Sequence, residues 1–80
     1  MKITVYSKPS CVACNQTYRA LDKMGVDYQI VDMSKDEMAF DKIRGLGFSS
    51  APVVDAGENN MWAGFRPDKL DTLTAVAAAS

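Results

Sequence analysis

The stretch that decides the fold joins an alternating apolar segment to a pair of cysteines. It reads Ile3-Thr4-Val5-Tyr6-Ser7-Lys8-Pro9-Ser10-Cys11-Val12-Ala13-Cys14. The β-branched and aromatic residues at its start predict a strand over residues 2–6. Pro9 disfavours helix at the residue before it and fixes its own backbone, so a helix can begin shortly afterwards. Apolar residues at helical spacing predict that this helix runs from Val12 to Met24 and ends at Gly25.

A second strand and a second helix follow this first unit. Tyr28, Ile30 and Val31 indicate a strand within residues 26–32. Ser34 is the expected N-cap of the helix, because Glu37 follows it at the spacing of a capping box. The apolar residues of this helix are Met38, Ile43 and Leu46, and its end is marked by Gly45 and Gly47.

The C-terminal part predicts a hairpin and a third helix. Val53 and Val54 form a short buried strand after Pro52, residues 57–60 form a turn, and residues 61–63 form the returning strand. Pro67 opens the last helix. The apolar face of that helix consists of Leu70, Leu73, Val76 and Ala77. The order is therefore β-α-β-α-β-β-α, an α/β pattern in which the first two strands form a right-handed parallel unit.

Composition limits the function classes. The 80 residues suffice for one domain, over residues 1–80, and nine basic and ten acidic residues give a net charge of −1. Nucleic acid and anionic membranes are excluded as standing partners, because binding to phosphate needs a basic stripe. No segment has the length of a signal peptide's apolar region or of a membrane span, which predicts a soluble, cytoplasmic protein.

The cysteine pair predicts redox chemistry because it lies at the start of a helix. Unpaired N–H groups and the positive end of the helix dipole favour a thiolate there, and the thiolate is the nucleophile. Cys11, at the mouth of the helix, is the expected attacking thiol and the more exposed sulfur. Cys14, one turn further in, is the expected resolving thiol, and the two would form the redox-active disulfide. Lys8 is either a cation that favours the Cys11 thiolate or meets a partner's carboxylate, or a solvated loop lysine.

Two other interpretations of the cysteines stay open. A zinc site needs four ligands, and this chain has two cysteines and no histidine, so only a dimer could build one. A structural disulfide across so short a loop would restrain the unfolded chain little, and a cytosolic setting opposes it. We expect no bound metal.

Two further segments are candidates for a binding surface. The Ala51–Pro52 bond is either a cis bond beside the dithiol, with the Ala51 backbone free to pair with an extended substrate, or an ordinary trans bond. Gly64 permits positive φ or close backbone approach. Trp62 is either part of the core or part of the surface, and Arg66 is a surface residue or the partner of Asp68 in a salt bridge.

These segments together resemble the glutaredoxin-like branch of the thioredoxin superfamily, and more narrowly the NrdH-type redoxins. The opening stretch, Ala51-Pro52-Val53 and Trp62-Ala63-Gly64-Phe65-Arg66-Pro67-Asp68 carry the resemblance, which covers essentially the whole chain. It implies a minimal thioredoxin fold, with a four-stranded mixed sheet, three helices and a cis Pro52.

The resemblance also implies a function. Proteins of this family donate electrons to class Ib ribonucleotide reductase and are recharged from NADPH by thioredoxin reductase, rather than by glutathione. They need no bound cofactor, and we expect a monomer. The residues that would shape the partner-binding surface are Lys8, Val12, Ala13, Ala51, Pro52, Trp62, Gly64, Phe65 and Arg66.

The chain departs from the family pattern at Ala13, where Gln is common, and at Ala63, where Ser is common. Glutaredoxins carry a pair of acids after the Gly turn, near the glutathione backbone. Pro67 replaces the first of them here, Asp68 remains, and Arg66 adds a cation that disfavours the glutathione ammonium. A glutathione-dependent glutaredoxin and a non-catalytic module that binds a partner or a metal are the alternative functions.

Overall fold

The computed structural model describes residues 3–57 and 60–79, with side chains up to Leu73. The strands are β1 (Ile3–Ser7), β2 (Tyr28–Asp32), β3 (Val53–Asp55) and β4 (Met61–Ala63). The helices are α1 (Val12–Met24), α2 (Glu37–Gly45) and α3 (Pro67–Ala79). The predicted element order is confirmed, and so are the bounds of α1 and β4. Glu58 and Asn59 of the predicted turn, and the Val76 and Ala77 side chains, lie outside the described part.

The four strands form one mixed sheet in the order β2-β1-β3-β4. β1 pairs with β2 in parallel, as predicted, and with β3 in antiparallel fashion, while β3 and β4 form the antiparallel hairpin. The antiparallel register sets Tyr6 opposite Val53. The carboxyl end of β1, which leads to the cysteines, therefore lies beside the amino end of β3, which follows Pro52.

Two apolar clusters cover the two faces of the sheet. Ile3, Val5 and Val54 pack with Leu21 of α1 and Leu70 of α3 on one face. On the other face, Tyr6 and Val53 pack with Ala39 and Ile43 of α2. The neighbours Val53 and Val54 point to opposite faces because side chains alternate along a strand. The layers are thus α1 and α3, the sheet, and α2.

The N-cap of α2 differs from the prediction. Asp36, not Ser34, caps the helix, and its carboxylate accepts a 3.1 Å hydrogen bond from the Ala39 N–H. Ser34 instead donates from its N–H and its hydroxyl to the Asp32 carboxylate, at 2.9 and 2.6 Å. These hydrogen bonds hold the pKa of Asp32 below its ordinary value. The prediction was wrong because the chain makes an Asx turn before the helix begins.

The predicted apolar face of α2 is also corrected. Ile43 is buried, but Met38 is 83% exposed and Leu46 is 54% exposed. Ala39 lies one turn before Ile43 and shares its buried face. Met38 is the residue before Ala39, so its side chain points in a different direction around the helix, away from that face. Leu46 follows the last helical residue as the C-cap, so the helical period no longer determines its direction.

Candidate active site

Cys11 occupies the N-cap position of α1. Its backbone is extended, with φ −112° and ψ 106°, and its Sγ accepts a 3.1 Å hydrogen bond from the Cys14 N–H. An N-cap side chain normally supplies an oxygen to one of the unpaired N–H groups of the first turn. Here a sulfur takes that place. The helix start therefore holds Cys11 Sγ where its backbone dipoles favour negative charge.

Cys14 lies one turn further along the same helix. The two sulfur atoms are at bonding distance, and the Cα atoms are 5.2 Å apart, within the range for disulfides. Cys11 keeps 9% of its surface exposed, whereas Cys14 keeps 1%. The predicted order of exposure is confirmed. An incoming group therefore meets Cys11 first, while Cys14 is almost fully buried.

No acidic residue in the first turn of α1 opposes a thiolate at the cysteine pair. Thr17, which shares the buried face of α1 with Cys14, satisfies its hydroxyl by donating to the Ala13 carbonyl at 2.9 Å. No group of three or more His, Cys, Asp or Glu side chains is placed to hold a metal ion in the described parts of the chain. The helix start is thus a local feature that favours a thiolate.

Pro52 follows a cis peptide bond, so the cis alternative is confirmed. It is buried, and its carbonyl accepts a 2.7 Å hydrogen bond from the Gly64 N–H. Gly64 has φ +86°, in the region where only glycine is unstrained, as the sequence suggested. This bond joins the loop before β3 to the loop after β4. The backbones of both segments therefore form one edge of the molecule near the end of β1.

Trp62 does not lie on that edge. It is 4% exposed and belongs to the core cluster of β1, α1 and α3. Its indole N–H has no hydrogen-bond partner among the described atoms. Of the two interpretations of Trp62, the structure shows the core position for its side chain. The middle position of β4, opposite Val54, directs the side chain into the core. Phe65 is half-buried against the same cluster.

Arg66 and Asp68 form an exposed ion pair at the start of α3. The guanidinium donates two hydrogen bonds to the carboxylate, from Nε at 3.2 Å and from a terminal nitrogen at 3.0 Å. The hydrogen bond from Arg66 holds the pKa of Asp68 below its ordinary value, and the same bond raises that of Arg66. Arg66 is thus both a surface residue and the partner of Asp68 in a salt bridge.

The remaining predicted binding residues flank the cysteines. Val12 is 74% exposed, Lys8 is exposed, and Ala13 and Ala51 are half-buried. Lys8 and Ala51 also line a groove that sequence reasoning missed, together with Phe40, Arg44 and Phe48. Phe40 and Phe48 fall outside the predicted apolar face of α2. Two aromatic residues without a place in the predicted core were the sequence signal that could have indicated this groove.

Comparisons with known proteins agree with this geometry. The family model for glutaredoxin matches residues 3–59. The glutaredoxin-like protein NrdH of Escherichia coli K12 is 38% identical over 73 residues, which cover 91% of this chain and 89% of the relative. The N-acetyl-S-hydroxy-L-cysteine reductase of Bacillus subtilis is 31% identical over 98% of this chain and 85% of its own length.

A solved structure matches equally well. The NrdH-redoxin of Escherichia coli, described as having a thioredoxin-like activity profile, superposes with a TM-score of 0.87 at 38% identity. The match covers 91% of this chain and 95% of that protein. Within the described residues, no helix combines the length and hydrophobicity that crossing a bilayer requires.

Proposed function

Since this chain belongs to the glutaredoxin family, and within it to the NrdH-type redoxins, we propose that it carries electrons from thioredoxin reductase to class Ib ribonucleotide reductase. The observation that carries the proposal is the Cys11–Cys14 pair at the N-terminus of α1. NADPH is the ultimate electron source in this scheme, and the protein itself binds no cofactor. A single-domain monomer in the cytoplasm completes the proposal.

The reaction takes two thiol–disulfide exchanges. The Cys11 thiolate attacks one sulfur of a target disulfide, forms a mixed disulfide and expels the other target sulfur as a thiolate. Cys14 then loses its proton and attacks Cys11 Sγ. This step breaks the mixed disulfide, releases the second target sulfur and leaves the Cys11–Cys14 disulfide. Two electrons pass from the redoxin to the target, and thioredoxin reductase returns two.

The partner would dock on the residues around Cys11. Exposed Val12 and the neighbouring Ala13 supply apolar contact, and the Ala51 backbone supplies hydrogen bonds to an extended chain. Pro52 and Gly64, joined by their backbone hydrogen bond, fix the opposite edge. Trp62 acts from beneath, by holding β4 and therefore Gly64 in position. Phe65 and Arg66 border the same edge.

The choice of thioredoxin reductase over glutathione rests on the start of α3. Asp68 is the acid that the glutaredoxin pattern would offer to the glutathione ammonium. In this chain its carboxylate is occupied by Arg66 through two hydrogen bonds. The thioredoxin-like activity profile described for the Escherichia coli relative supports the same choice.

A paired reductant assay tests the proposal. One reaction supplies NADPH and thioredoxin reductase, the other NADPH, glutathione and glutathione reductase, and both follow the reduction of insulin disulfides. We expect turnover only in the first, and none in either with Cys11→Ser. Fast turnover with glutathione and failure with thioredoxin reductase would instead identify a glutathione-dependent glutaredoxin. A Cys11→Ser variant that still binds its partner protein as the wild type does, with no turnover by the wild type in either reaction, would identify a non-catalytic binding module.

The ribonucleotide reductase step needs its own assay. Formation of deoxyribonucleotides by a class Ib reductase is measured with this protein as the sole dithiol donor. The proposal predicts product formation that requires both Cys11 and Cys14. Insulin reduction without any ribonucleotide reduction would refute this partner and leave a general disulfide reductase.

A further inference from the structure

A groove of ≈ 430 Å³ opens between α2 and the loops that lead to Cys11 and Pro52. The residues that define this α2 groove are Lys8, Phe40, Ile43, Arg44, Phe48 and Ala51. Its volume falls in the range of about 300–1,000 Å³ that ligand sites occupy. The groove is therefore large enough for more than a single small side chain.

The floor of the α2 groove is apolar. Ile43 is buried at its base, Phe48 is half-buried, and Phe40 is 43% exposed. An aromatic ring on the surface of a small protein gains free energy when a partner covers it. The floor therefore suits an apolar side chain of the partner.

The rim of the groove is cationic. Lys8 and Arg44 are both exposed, and no acidic residue lines the groove in the described part of the chain. The Arg44 guanidinium carbon lies 5.7 Å from the centroid of the Phe40 ring. The positive charge of the rim is therefore next to the apolar floor of the groove. The next depression along α2 carries Lys35 and Glu37, whose charges offset each other. The α2 groove thus complements an apolar group that lies next to a carboxylate.

The α2 groove lies within a few residues of Cys11 along the chain. Lys8 precedes Cys11 by three residues, so their Cα atoms are at most about 11 Å apart. Lys8 and Ala51, which follow β1 and precede β3, both line the groove. An extended chain rises about 3.3 Å per residue. A segment bonded to Cys11 therefore enters the groove within three or four residues of its own cysteine.

We propose that the α2 groove binds an extended segment of the partner protein, in which an apolar side chain and a carboxylate lie within four residues of the target cysteine. This inference deepens the proposed function and rests on it. Lys8 and Arg44 meet the carboxylate, and Phe40, Ile43 and Phe48 cover the apolar side chain.

Synthetic peptides test the proposal. Each carries one cysteine joined to thionitrobenzoate by a disulfide, and the flanking residues are Asp-Phe, Lys-Phe or Asp-Ala on both sides. The Cys11 thiolate displaces thionitrobenzoate, and Cys14 then releases the peptide thiol. The coloured thiolate reports the rate. Each rate is divided by that of the same peptide with dithiothreitol, which removes the peptide's intrinsic reactivity.

We expect the Asp-Phe peptide to react about fivefold faster than the Lys-Phe peptide at low salt, and the ratio to fall toward one at high salt. In Arg44→Gln the ratio falls by about half, because one of two exposed cations is lost. Arg19→Gln makes the same change on the exposed side of α1, and it leaves the ratio as in the wild type.

The apolar half of the proposal has its own variant pair. Phe40→Ser lowers the preference for Asp-Phe over Asp-Ala by about threefold, which is less than full burial of the ring would give. Met38→Ser, on the same helix but outside the groove, leaves this preference unchanged. Circular dichroism confirms that all variants are folded.

Equal rates for the Asp-Phe and Lys-Phe peptides, or a ratio unchanged in Arg44→Gln, would overturn the proposal. So would a glutathione–thionitrobenzoate disulfide that reacts faster than the Asp-Phe peptide, because the groove would then belong to a small anionic thiol. Failure of the proposed function is detected by different measurements, the paired reductant assay and the ribonucleotide reduction assay described above. Loss of the dithiol chemistry itself would appear here as no release of thionitrobenzoate from any peptide, and none from the disulfide of N-acetylcysteine amide.

Discussion

The N–H of Cys14 donates its hydrogen bond to the sulfur of Cys11, 3.1 Å away. The resolving residue thus stabilises the attacking sulfur through its backbone, while its own side chain stays buried behind that sulfur. A hydrogen bond to an ionised acceptor is stronger than one to a neutral acceptor. The contact therefore gains strength when Cys11 becomes a thiolate, which is the form that attacks.

Replacing Cys14 by Ser should trap the mixed disulfide. Cys11 still attacks in this variant, since the backbone N–H of residue 14 is retained, but no thiol remains to release the target. We expect mass spectrometry to find a target joined to Cys11 after incubation with thioredoxin reductase or ribonucleotide reductase. Cys11→Ser is the matched control and should trap nothing. A target joined to Cys14 in that control would reverse the assigned roles.

Asp36 should contribute more to stability than Ser34. Asp36→Ala removes the N-cap of α2 and should lower the free energy of unfolding by about 1 kcal/mol. Ser34→Ala removes only a hydroxyl hydrogen bond on the surface and should cost about 0.5 kcal/mol or less. Urea denaturation followed by circular dichroism measures both. A larger loss for Ser34→Ala would mean that the capping box predicted from sequence forms in solution.

The two helices show where sequence alone suffices and where it does not. The bounds of α1 could be predicted because Pro9 and Gly25 act on the backbone locally, whatever the rest of the fold does. The start of α2 could not, because Asp32, Ser34 and Asp36 all have side chains able to cap, and the turn before the helix decides among them. The exposure of Met38 depends on which side of α2 faces the sheet. A short helix with few apolar residues does not specify that side.

The candidate site divides in the same way. The cysteine roles and the Pro52 position follow from spacing and resemblance, since each depends on the residue type itself. The burial of Trp62 depends on which face of β4 meets the helices, and that is decided by pairing with β3. The residues that define the α2 groove come from three separate segments, which only the tertiary structure brings together.

The Asp68 carboxyl should titrate at higher pH when Arg66 is removed. The hydrogen bonds from Arg66 favour the carboxylate, so the folded pKa is below the unfolded one. The resulting stability is therefore present above the unfolded pKa, about 3.9, and is lost as pH falls through the lowered folded value. In Arg66→Gln, NMR titration of the Asp68 carboxyl carbon should give a higher pKa, closer to that of an unpaired aspartate.

Asp32 is the internal control for this titration. Its pKa is lowered by Ser34 rather than by Arg66. It should titrate identically in wild type and Arg66→Gln. An unchanged pKa of the Asp68 carboxyl in the variant would show that the ion pair with Arg66 does not persist in solution. The argument against reduction by glutathione would then lose its support.

Trp62 should tolerate Phe far better than Ala. Its indole N–H has no partner among the described atoms, so Trp62→Phe breaks no hydrogen bond and removes a buried donor that costs about 1–3 kcal/mol when unpaired. This gain offsets the energetic cost of the cavity left by the smaller ring. The free energy of unfolding should therefore change by no more than about 1 kcal/mol. Trp62→Ala should cost about 3–5 kcal/mol. Guanidinium denaturation followed by circular dichroism measures both variants, and equal losses would indicate that the N–H is paired.

Gly64 and Gly45 should respond to alanine in opposite directions. A Cβ would meet nothing within 4 Å at either position, so sterics between residues do not distinguish them. Gly64 has φ +86°, and alanine there should lower the free energy of unfolding by about 1–2 kcal/mol. Gly45 ends α2 without a positive φ, and alanine there should raise it by about 0.5 kcal/mol.

A third glycine separates stability from function. Gly64 donates to the Pro52 carbonyl, whereas Gly25, also at positive φ, is the C-cap of α1, at the other end of that helix from Cys11. Gly64→Ala should therefore also slow insulin reduction with thioredoxin reductase, measured well below the unfolding transition, while Gly25→Ala, which is strained in the same way, leaves that rate unchanged. A Gly64→Ala variant that is destabilised but reduces insulin at the wild-type rate would show that this backbone segment is not part of the docking edge.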